Sequence, residues 1–489
     1  MTHHQAAQRL TGRASARAWL AIIVLVSGVW GGVPHPASAQ TRQVPTGQDQ
    51  ITLSFAPLVR ATAPAVVNIT ASRRAATPTG ASLFDDPFFR RFFGDRLGRS
   101  PGGQPRSQNS LGSGVLVTAD GLVVTNHHVI DGATEIQVAL ADRREFDATL
   151  VLSDERTDLA FLQLQEVEGL TLPTLPVGEP DRLEVGDLVL AIGNPFGVGQ
   201  TVTSGIVSAE ARTGVGISDF SFFIQTDAAI NPGNSGGALV AMDGTLIGIN
   251  TAIFSRDGGS LGIGFAVPSS MVRALMDSIA RGRPLARPWL GAQTQPVTNN
   301  IAAAMGLDRP AGVIVQAIEP GSPAGRSGLR IGDVVRAVGG APVDDPDSLQ
   351  FRIATSRIGA DTTLSVQRGA RDLVLLLPVE LPPEVPARDT TWLEGRHPFA
   401  GAQVANLSPA LREEVGHTGP DRQGVVVLGV AGGSPADRIG MRTLDVILTV
   451  NGQDIGSVDA LERMMSRSGP PWRLQIRRGD RLLDTTLRG

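Results

Sequence analysis

Segment 226–237 of the chain places a serine among glycines and reads TDAAINPGNSGG. Ser235 lies there just before the apolar run 238–240, which predicts a buried strand. The neighbouring glycines allow a tight turn that can bring two backbone N–H groups near an atom attacked by the serine. The pattern indicates a nucleophilic serine with an oxyanion hole, although a plain glycine-rich turn would read the same. A serine alone is a weak nucleophile, so a base must lie elsewhere.

Histidine is the base expected beside such a serine, and the sequence has seven. Five of them lie in the N-terminal segment or near the second of two repeats described below: His3, His4, His35, His397 and His417. The other two, His127 and His128, end a predicted strand. Neighbouring residues on an extended strand point to opposite faces. Only one of the pair can therefore face Ser235, and spacing does not decide which.

Asp158 is the candidate for the acid that orients the histidine. It directly precedes the apolar strand 159–164, so its carboxylate can be partly buried against a ring nitrogen. Asp154 and Glu155, in the same turn, are expected to be more solvated. The chain order histidine, aspartate, serine is that of the chymotrypsin type and differs from the orders of α/β-hydrolases and subtilisin.

The composition of the chain limits the class of protein to which it can belong. Its 489 residues suggest about three domains, and contents of 42% hydrophobic and 18% charged residues suit a globular protein. The formal net charge of −4 gives no reason to expect nucleic acid as a partner. There is no cysteine, the histidines lack ligand spacing and no glycine-rich phosphate loop is present. We therefore expect no metal site and no cofactor.

Residues 1–39 are predicted to be a cleavable secretory signal peptide. Arginines precede the apolar run 19–29, and helix breakers and the small residues of Ala37-Ser38-Ala39 follow it. The apolar run is short for a full membrane span, which disfavours an uncleaved anchor. The pattern indicates an exported protein whose attachment to a membrane is at most peripheral.

Residues 40–110 contain a polar N-terminal segment and a long phenylalanine-rich loop that begin the next domain. Five phenylalanines lie within 83–93, and we expect them to contact another subunit or the active site rather than fold back as an apolar plug. From 111 to 280 many short apolar strands alternate with turn residues, which favours antiparallel barrels or a sandwich.

Two similar modules follow, over 288–380 and 398–489. The first contains SPAGRSGL at 322–329 and the second SPADRIGM at 434–441, each after a hydrophobic strand. The segment 381–397 between the modules is predicted to be a proline-rich linker, and its stretch 381–386 is expected to be stiff and exposed.

Taken together, these motifs resemble the HtrA/Deg family of serine proteases, and most closely its bacterial periplasmic DegP/DegQ type. The resemblance runs from about residue 55 to the C-terminus. Its motifs are TNHHV at 125–129, TDLA at 157–160, AIGNPFG at 191–197, TSGIVS at 203–208 and the stretch 225–239. The resemblance implies a mainly β fold, with a chymotrypsin-like double β-barrel protease domain followed by two PDZ-like α+β modules.

The family pattern T-N-x-H-V implies that His128 is the general base, with Asp158 and Ser235 as the other members of a catalytic triad. The resemblance also implies an oxyanion hole formed by the N–H groups of Gly233 and Ser235, with Asn234 between them. Asn234, directly before the serine, has no charge and so cannot pair with an N-terminal ammonium newly formed by cleavage of the chain. Activation is therefore expected to come from rearrangement of loops.

The specificity pocket is expected at Ala229, where trypsin-like enzymes carry a charged pocket base six residues before the serine. With Ile230 beside it, the pocket is expected to be small and apolar. It should accept valine, alanine, isoleucine or similar side chains at the cleaved bond.

PDZ modules add an extended peptide, often a free C-terminus, to a sheet edge. The expected peptide contacts of the first module are Trp289, Leu290, Gly291 and Ala292. In the second module the corresponding loop maps onto 398–402, where Ala400 replaces the family leucine. Leu444 also replaces the glycine found at Gly332. A packing or assembly role is at least as well supported there as peptide binding.

The resemblance implies an ATP-independent serine endopeptidase that degrades unfolded or damaged exported proteins in the periplasm. Its partners are expected to be unfolded substrates, their C-terminal peptides and further copies of the chain, in trimers or multiples of trimers. The alternative is a holdase chaperone or peptide-binding scaffold, alone or combined with proteolysis. The intact triad disfavours it as the sole function. Chain order and the lack of a G-x-S-x-G context disfavour a lipase or esterase.

Overall fold

The computed structural model describes residues 54–73, 108–195, 199–212, 222–231, 233–253, 262–282, 287–417, 419, 421–467 and 469–488. The predicted signal peptide and the phenylalanine-rich segment lie outside the described residues. Within these ranges no helix combines the length and the apolar character needed to cross a membrane.

The first half of the β-rich N-terminal domain is a closed antiparallel barrel. Its strands are β1 (Val66–Arg73), β2 (Gln108–Leu116), β3 (Leu122–Thr125), β4 (Glu135–Ala139), β5 (Glu145–Asp154) and β6 (Leu159–Leu164). They close in the order β1–β2–β3–β6–β5–β4. Helix α1 (Ala56–Thr62) and the 3₁₀ turn Ala63–Ala65 lead into β1. The short helix α2 (His127–Ile130) follows β3.

The second half is another closed barrel, and helix α3 (Ser269–Ala280) follows it. Its strands are β7 (Leu188–Gly193), β8 (Thr201–Arg212), β9 (Phe223–Thr226), β10 (Ala238–Ala241), β11 (Leu246–Ile253) and β12 (Gly264–Pro268). They close in the order β10–β11–β12–β9–β8–β7, and the 3₁₀ turn Pro180–Arg182 precedes them. The two barrels confirm the predicted double β-barrel.

The two C-terminal modules share one plan, a sheet with short helices between its strands. The strands of the first are β13 (Ala292–Pro296), β14 (Val313–Ile318), β15 (Val334–Val338), β16 (Ala341–Pro342), β17 (Asp361–Arg368) and β18 (Arg371–Pro378). Those of the second are β19 (Thr391–Trp392), β20 (Ala402–Asn406), β21 (Val425–Val430), β22 (Val446–Val450), β23 (Gln453–Asp454), β24 (Trp472–Arg478) and β25 (Arg481–Leu487).

The helices of the two modules correspond to one another. Those of the first are α4 (Asn299–Met305), α5 (Pro323–Arg326) and α6 (Pro346–Ala354); those of the second are α7 (Pro409–Glu414), α8 (Pro435–Arg438) and α9 (Val458–Arg467). The repeated Ser-Pro-Ala motif begins α5 and α8. In each, the serine side chain accepts a hydrogen bond from a backbone N–H three residues on, and proline takes the first helical position.

A buried ion pair is also repeated in the two modules. Arg368 donates to both carboxylate oxygens of Asp333 at 2.7 Å, and Arg478 does the same with Asp445. Both aspartates are buried, so a bidentate arginine compensates the loss of hydration that burial costs the carboxylate. These pairs fix the turn before β15 and before β22.

The first module packs against the second barrel through helix α6. Phe351 of α6 stacks on Phe222, with ring centroids 3.8 Å apart, and the Arg352 guanidinium lies 5.1 Å from the Phe222 ring centroid. Phe222 directly precedes β9, the strand that leads towards Ser235. The helix therefore links the first module to the part of the chain that carries the serine.

Asp154 is buried, with 5% of its surface exposed. Its Oδ2 atom accepts hydrogen bonds from Arg287 at 2.5 Å and from the hydroxyl of Thr157 at 2.6 Å. The expectation that Asp154 is solvated is therefore wrong, because an arginine distant in sequence compensates its charge. Glu155 is exposed, as expected.

The proline-rich segment 381–397 is not exposed throughout. Val385 is 72% exposed, but Leu393 is only 2% exposed and β19 belongs to the sheet of the second module. The prediction of exposure concerns 381–386, where no residue is buried, whereas the other end of the segment joins the second module. Burial removes the apolar side chain of Leu393 from water, and this stabilises its packing in the module.

Candidate active site

His128 lies on α2, directly after β3. The loop 233–237, which carries Ser235 and is called the serine loop, contacts the first barrel through Ser113. Asn126 and the backbone N–H of His127 both donate to the carbonyl of Asp158, at 2.9 and 3.1 Å. These two bonds attach the start of the helix to the turn that carries the acid. The expectation that the two histidines follow strand alternation is wrong, because the chain has already turned into a helix at this point.

His128 and Asp158 form a close pair. The Nδ1 atom of His128 lies 2.9 Å from Oδ1 and 2.8 Å from Oδ2 of Asp158, and the backbone N–H of His128 donates to Oδ1 at 3.1 Å. Asp158 is 4% exposed and has a φ of 56°, a conformation uncommon for a residue with a side chain. An acceptor on Nδ1 orients the ring so that Nε2 can serve as a base.

Thr251, on β11, connects the serine with the acid. Its carbonyl accepts a hydrogen bond from the Ser235 hydroxyl at 3.1 Å, and its own hydroxyl donates to Oδ2 of Asp158 at 2.5 Å. Sequence reasoning did not find Thr251. The sequence shows only that two adjacent polar residues, Asn250 and Thr251, interrupt an otherwise apolar strand, and the structure shows that both are buried.

The glycines of the serine loop have backbone conformations that favour glycine. Gly233 has a φ of 95° and Gly236 a φ of 82°. A Cβ at Gly233 would lie 2.2 Å from Cβ of Pro195, and one at Gly236 would lie 2.0 Å from the carbonyl oxygen of Ser113. Both positions therefore require glycine for conformation and for space.

Backbone donors of the loop divide into two groups. The N–H of Asn234 donates to the Asn231 carbonyl at 3.0 Å, and that of Gly236 donates to the Asn250 carbonyl at 2.8 Å. Within the described part of the chain, no backbone hydrogen bond uses the N–H of Gly233 or Ser235. These two are the donors predicted for the oxyanion hole.

Ser113, on β2, holds the serine loop against the first barrel. Its hydroxyl donates to the Gly233 carbonyl at 2.5 Å and accepts from the backbone N–H of Asn194 at 2.8 Å. Its backbone N–H donates to the Ser235 carbonyl at 2.9 Å. Sequence reasoning did not find this residue, because nothing in its neighbourhood distinguishes it from other strand serines.

The two predicted pocket residues differ in their surroundings. Ala229 is half-buried, and its carbonyl accepts a hydrogen bond from the Thr203 hydroxyl at 2.8 Å. Ile230 has no exposed surface and belongs to the core of the second barrel. In this structure Ala229 therefore reaches the surface and Ile230 does not.

The remaining histidines do not join the site. His127 contacts the hydroxyl of Ser153, with Nδ1 and Oγ 2.6 Å apart, while His397 and His417 belong to the second module. Across the residues that the structure describes, no group of three or more His, Cys, Asp or Glu side chains could hold a metal ion.

A groove in the first module contains all four predicted peptide contacts. Trp289, Leu290, Gly291 and Ala292 line a cavity of about 510 Å³, together with Leu349 and Ile353 of α6. Gly291 has a φ of 69°, and a Cβ there would lie 2.2 Å from Cβ of Ser322. The loop can therefore have this shape only with glycine at that position.

The far wall of this groove comes from the second module. It includes Arg412, Glu413, His417 and Arg422. Both arginines pair with Glu319 of the first module, Arg412 at 2.7 Å. Burial raises the pKa of Glu413 and lowers that of His417. The two modules thus share the groove.

Comparisons with known proteins agree with this architecture. The model of a trypsin-like peptidase domain matches residues 112–249, and that of a PDZ domain matches 288–379 and 398–488. The periplasmic serine endoprotease DegP of Escherichia coli is 38% identical over 91% of this chain and 93% of its own length. The periplasmic pH-dependent serine endoprotease DegQ of Escherichia coli is 38% identical over 92% of this chain and 95% of its own length.

Among solved structures, the HtrA-type protease AlgW with a decapeptide is 44% identical, covering 68% of this chain and 99% of that one, with a TM-score of 0.48. The identity and coverage of the two Escherichia coli relatives extend over the barrels and both PDZ modules. The chain therefore belongs to the HtrA-type serine endopeptidases of the DegP/DegQ group, which join a trypsin-like domain to two PDZ domains.

Proposed function

We propose that the chain is an ATP-independent endopeptidase that degrades unfolded or damaged proteins in the periplasm. The observation that carries the proposal is the His128–Asp158 pair beside the glycine-bounded loop of Ser235. The relatives DegP and DegQ are periplasmic endoproteases, which supports the location.

In the proposed reaction, the Ser235 hydroxyl attacks the carbonyl carbon of a peptide bond while Nε2 of His128 takes its proton. The N–H groups of Gly233 and Ser235 stabilise the negative charge on the carbonyl oxygen. His128 then gives the proton to the leaving amine, and an acyl ester remains on Ser235. Water, deprotonated by His128, releases the acid and restores the serine.

Asp158 acts through His128. Its carboxylate accepts a hydrogen bond from the Nδ1–H group, keeps Nε2 as the base and stabilises the imidazolium that forms during attack. Thr251 is a positioning residue, because its hydroxyl fixes the carboxylate and its carbonyl holds the Ser235 hydroxyl. Ser113 holds the loop that carries the predicted oxyanion donors.

The site requires movement before it can act. Ser235 is 2% exposed, and its hydroxyl donates to Thr251 in this structure. A peptide bond can approach the hydroxyl only after surrounding residues shift. This supports activation by loop rearrangement. Binding of a peptide to the first module is proposed to favour that rearrangement through α6, because this helix lines the groove and its Phe351 stacks on Phe222.

Substrate preference is proposed to follow the pocket near Ala229. No charged group stands at that position, so a basic side chain would lose hydration without gaining a partner. Cleavage after valine, alanine or isoleucine is expected. The first PDZ groove is proposed to take a free C-terminus by addition to the edge of β13. Assembly into trimers, with the segment 83–93 at the contact, remains a further proposal.

Replacement of Thr251 by valine keeps the shape of the side chain and removes its hydroxyl. The Asp158 carboxylate then loses one donor, and a hydrogen bond to a charged group contributes roughly 1.5–3 kcal/mol. We expect kcat to fall about tenfold to a hundredfold with KM little changed. Thr251→Ser restores the donor and should recover most of the rate. Equal losses in both variants would contradict a role for the hydroxyl.

The proposed function is tested by incubating purified mature chain with an unfolded model protein, without ATP, beside Ser235→Ala. Cleavage sites are identified by mass spectrometry. Loss of the substrate with cuts after small aliphatic residues, absent from the variant, supports the proposal and the pocket together. Cuts after basic residues would contradict the pocket alone.

The chaperone alternative gives a different result in the same experiment. If wild type does not cleave, even with an activating C-terminal peptide, while both forms still prevent aggregation, the chain is a holdase and the protease proposal is wrong. If wild type cleaves and Ser235→Ala still prevents aggregation, both activities coexist.

A further inference from the structure

The outer edge of the second PDZ sheet is already occupied by the chain itself. Strand β19 pairs antiparallel with β20, with Thr391 opposite Val404 and Trp392 opposite Gln403. The backbone N–H of Leu393 then donates to the Ala402 carbonyl at 2.9 Å. A peptide ligand of a PDZ module would add at this edge, so residues 391–393 occupy its place.

The corresponding edge in the first module is open in the described residues. Its sheet runs β13–β14–β15–β17–β18, and β13, the counterpart of β20, pairs on one side only. The groove of about 510 Å³ lies beside this strand. The two modules therefore share a fold but differ in whether their peptide site is filled.

The backbone donors that would hold a carboxylate are also used in the second module. Gly401 donates its N–H to the Leu393 carbonyl at 2.8 Å, and Ala400 donates to the His397 carbonyl at 3.2 Å. The loop nevertheless keeps the geometry of a peptide site. Gly401 has a φ of 86°, and a Cβ there would lie 2.3 Å from Cβ of Ser434, which repeats the relation of Gly291 to Ser322.

Side chains of the segment alternate as those of a bound peptide do. Leu393 is 2% exposed and belongs to the module's core cluster with Phe399 and Met465 of α9. Trp392 is 50% exposed, and Thr391 is half-buried. Successive residues of an extended strand point to opposite sides, so Leu393 takes the position of a ligand's terminal residue. The chain then turns away at Gly395, which has a φ of 120°.

We propose that Thr391-Trp392-Leu393 is a built-in ligand that closes the peptide site of the second PDZ module. The site is suited to a peptide that ends in a large aliphatic residue with a free carboxylate. The tether gives the internal segment an effective concentration in about the millimolar range, which a free peptide must overcome. Leu393 is followed by Glu394, so it presents a backbone carbonyl to the loop. The internal segment therefore lacks the terminal carboxylate charge of a free peptide. The proposal does not depend on proteolysis.

The test counts peptides bound per chain by calorimetry, in the full mature chain carrying Ser235→Ala so that nothing is cleaved. The probe is the synthetic peptide RDTTWL, the sequence of residues 388–393, with a free carboxylate. Leu393→Asp should expel the segment and raise the number of peptides bound by one per chain. Trp392→Asp adds the same charge at the exposed neighbour and should leave the number unchanged.

A milder variant covers the case in which Leu393→Asp unfolds the module. Leu393→Ala is expected to raise hydrogen exchange at the amides of 391–393 and of Gly401, while β24 and β25 stay protected. Added peptide should restore protection at Gly401, and the same peptide with a C-terminal amide should do so less. Two outcomes would overturn the proposal. In the first, neither Leu393 variant gains a peptide site, although the amides of β24 and β25 stay protected from exchange. In the second, the second module of the wild type binds the peptide while the amides of 391–393 stay protected.

Discussion

Replacing Asp158 by asparagine is expected to lower kcat by about 10⁴, with KM little changed. The carboxylate accepts from Nδ1 and from the backbone N–H of His128 and from the Thr251 hydroxyl. An asparagine amide must place an N–H where one of these donors points. If it faces Nδ1, the imidazole holds its proton on Nε2 and cannot accept one from Ser235. The measurement is the rate of cleavage of an unfolded substrate or a short peptide at saturating concentration.

Asp154→Asn is the matched control for this variant. Asp154 lies in the same turn, is equally buried and also has a charged partner, Arg287, but does not touch His128. We expect the control to lose stability rather than most of its kcat, because Arg287 loses the buried carboxylate with which it pairs. Equal losses of kcat in the two variants would show that the turn, and not the carboxylate at His128, carries the effect.

Replacing Gly236 by alanine is expected to reduce kcat by on the order of 10²-fold or more. The new Cβ would lie 2.0 Å from the Ser113 carbonyl oxygen and 2.4 Å from the Thr125 hydroxyl. Neither is the end of a flexible side chain, so the serine loop must move. Movement of the loop displaces Ser235 and the two N–H groups predicted for the oxyanion hole.

Gly169→Ala separates this clash from the backbone cost of a positive φ. Gly169 has a φ of 75°, but nothing lies within 4 Å of a Cβ built there. The control should lose roughly 1–2 kcal/mol of stability and keep its activity. Thermal unfolding and peptide cleavage are measured for both variants. A fully active Gly236→Ala would contradict the geometry described for the loop.

Much of this architecture could be predicted because it rests on short, local patterns. The glycines around Ser235, the polar turn before an apolar strand at Asp158 and the repeated Ser-Pro-Ala caps each require a particular backbone. The choice between His127 and His128 was different. Local spacing placed both on a strand, and only the family pattern selected His128, because the turn into α2 depends on bonds to Asp158, 30 residues away.

Contacts between distant segments could not be predicted from the sequence. Thr251 and Ser113 reach the site from β11 and β2, and their roles depend on how the two barrels meet. Asp154 is buried because Arg287 lies against it, 133 residues further along the chain. Leu393 likewise fills a groove formed by residues that follow it. Pairings across such distances leave no periodic signal in the sequence.

The central claim is that Ser235 is a nucleophile activated by His128 and Asp158, and a fluorophosphonate that reacts with activated serines tests it most directly. The mature chain is labelled in the presence of a C-terminal peptide, and the adduct is located by mass spectrometry. We expect one adduct per chain, on Ser235, absent from Ser235→Ala and much slower to form in Asp158→Asn. An adduct at another residue, or no adduct while the chain degrades unfolded protein, would contradict this account.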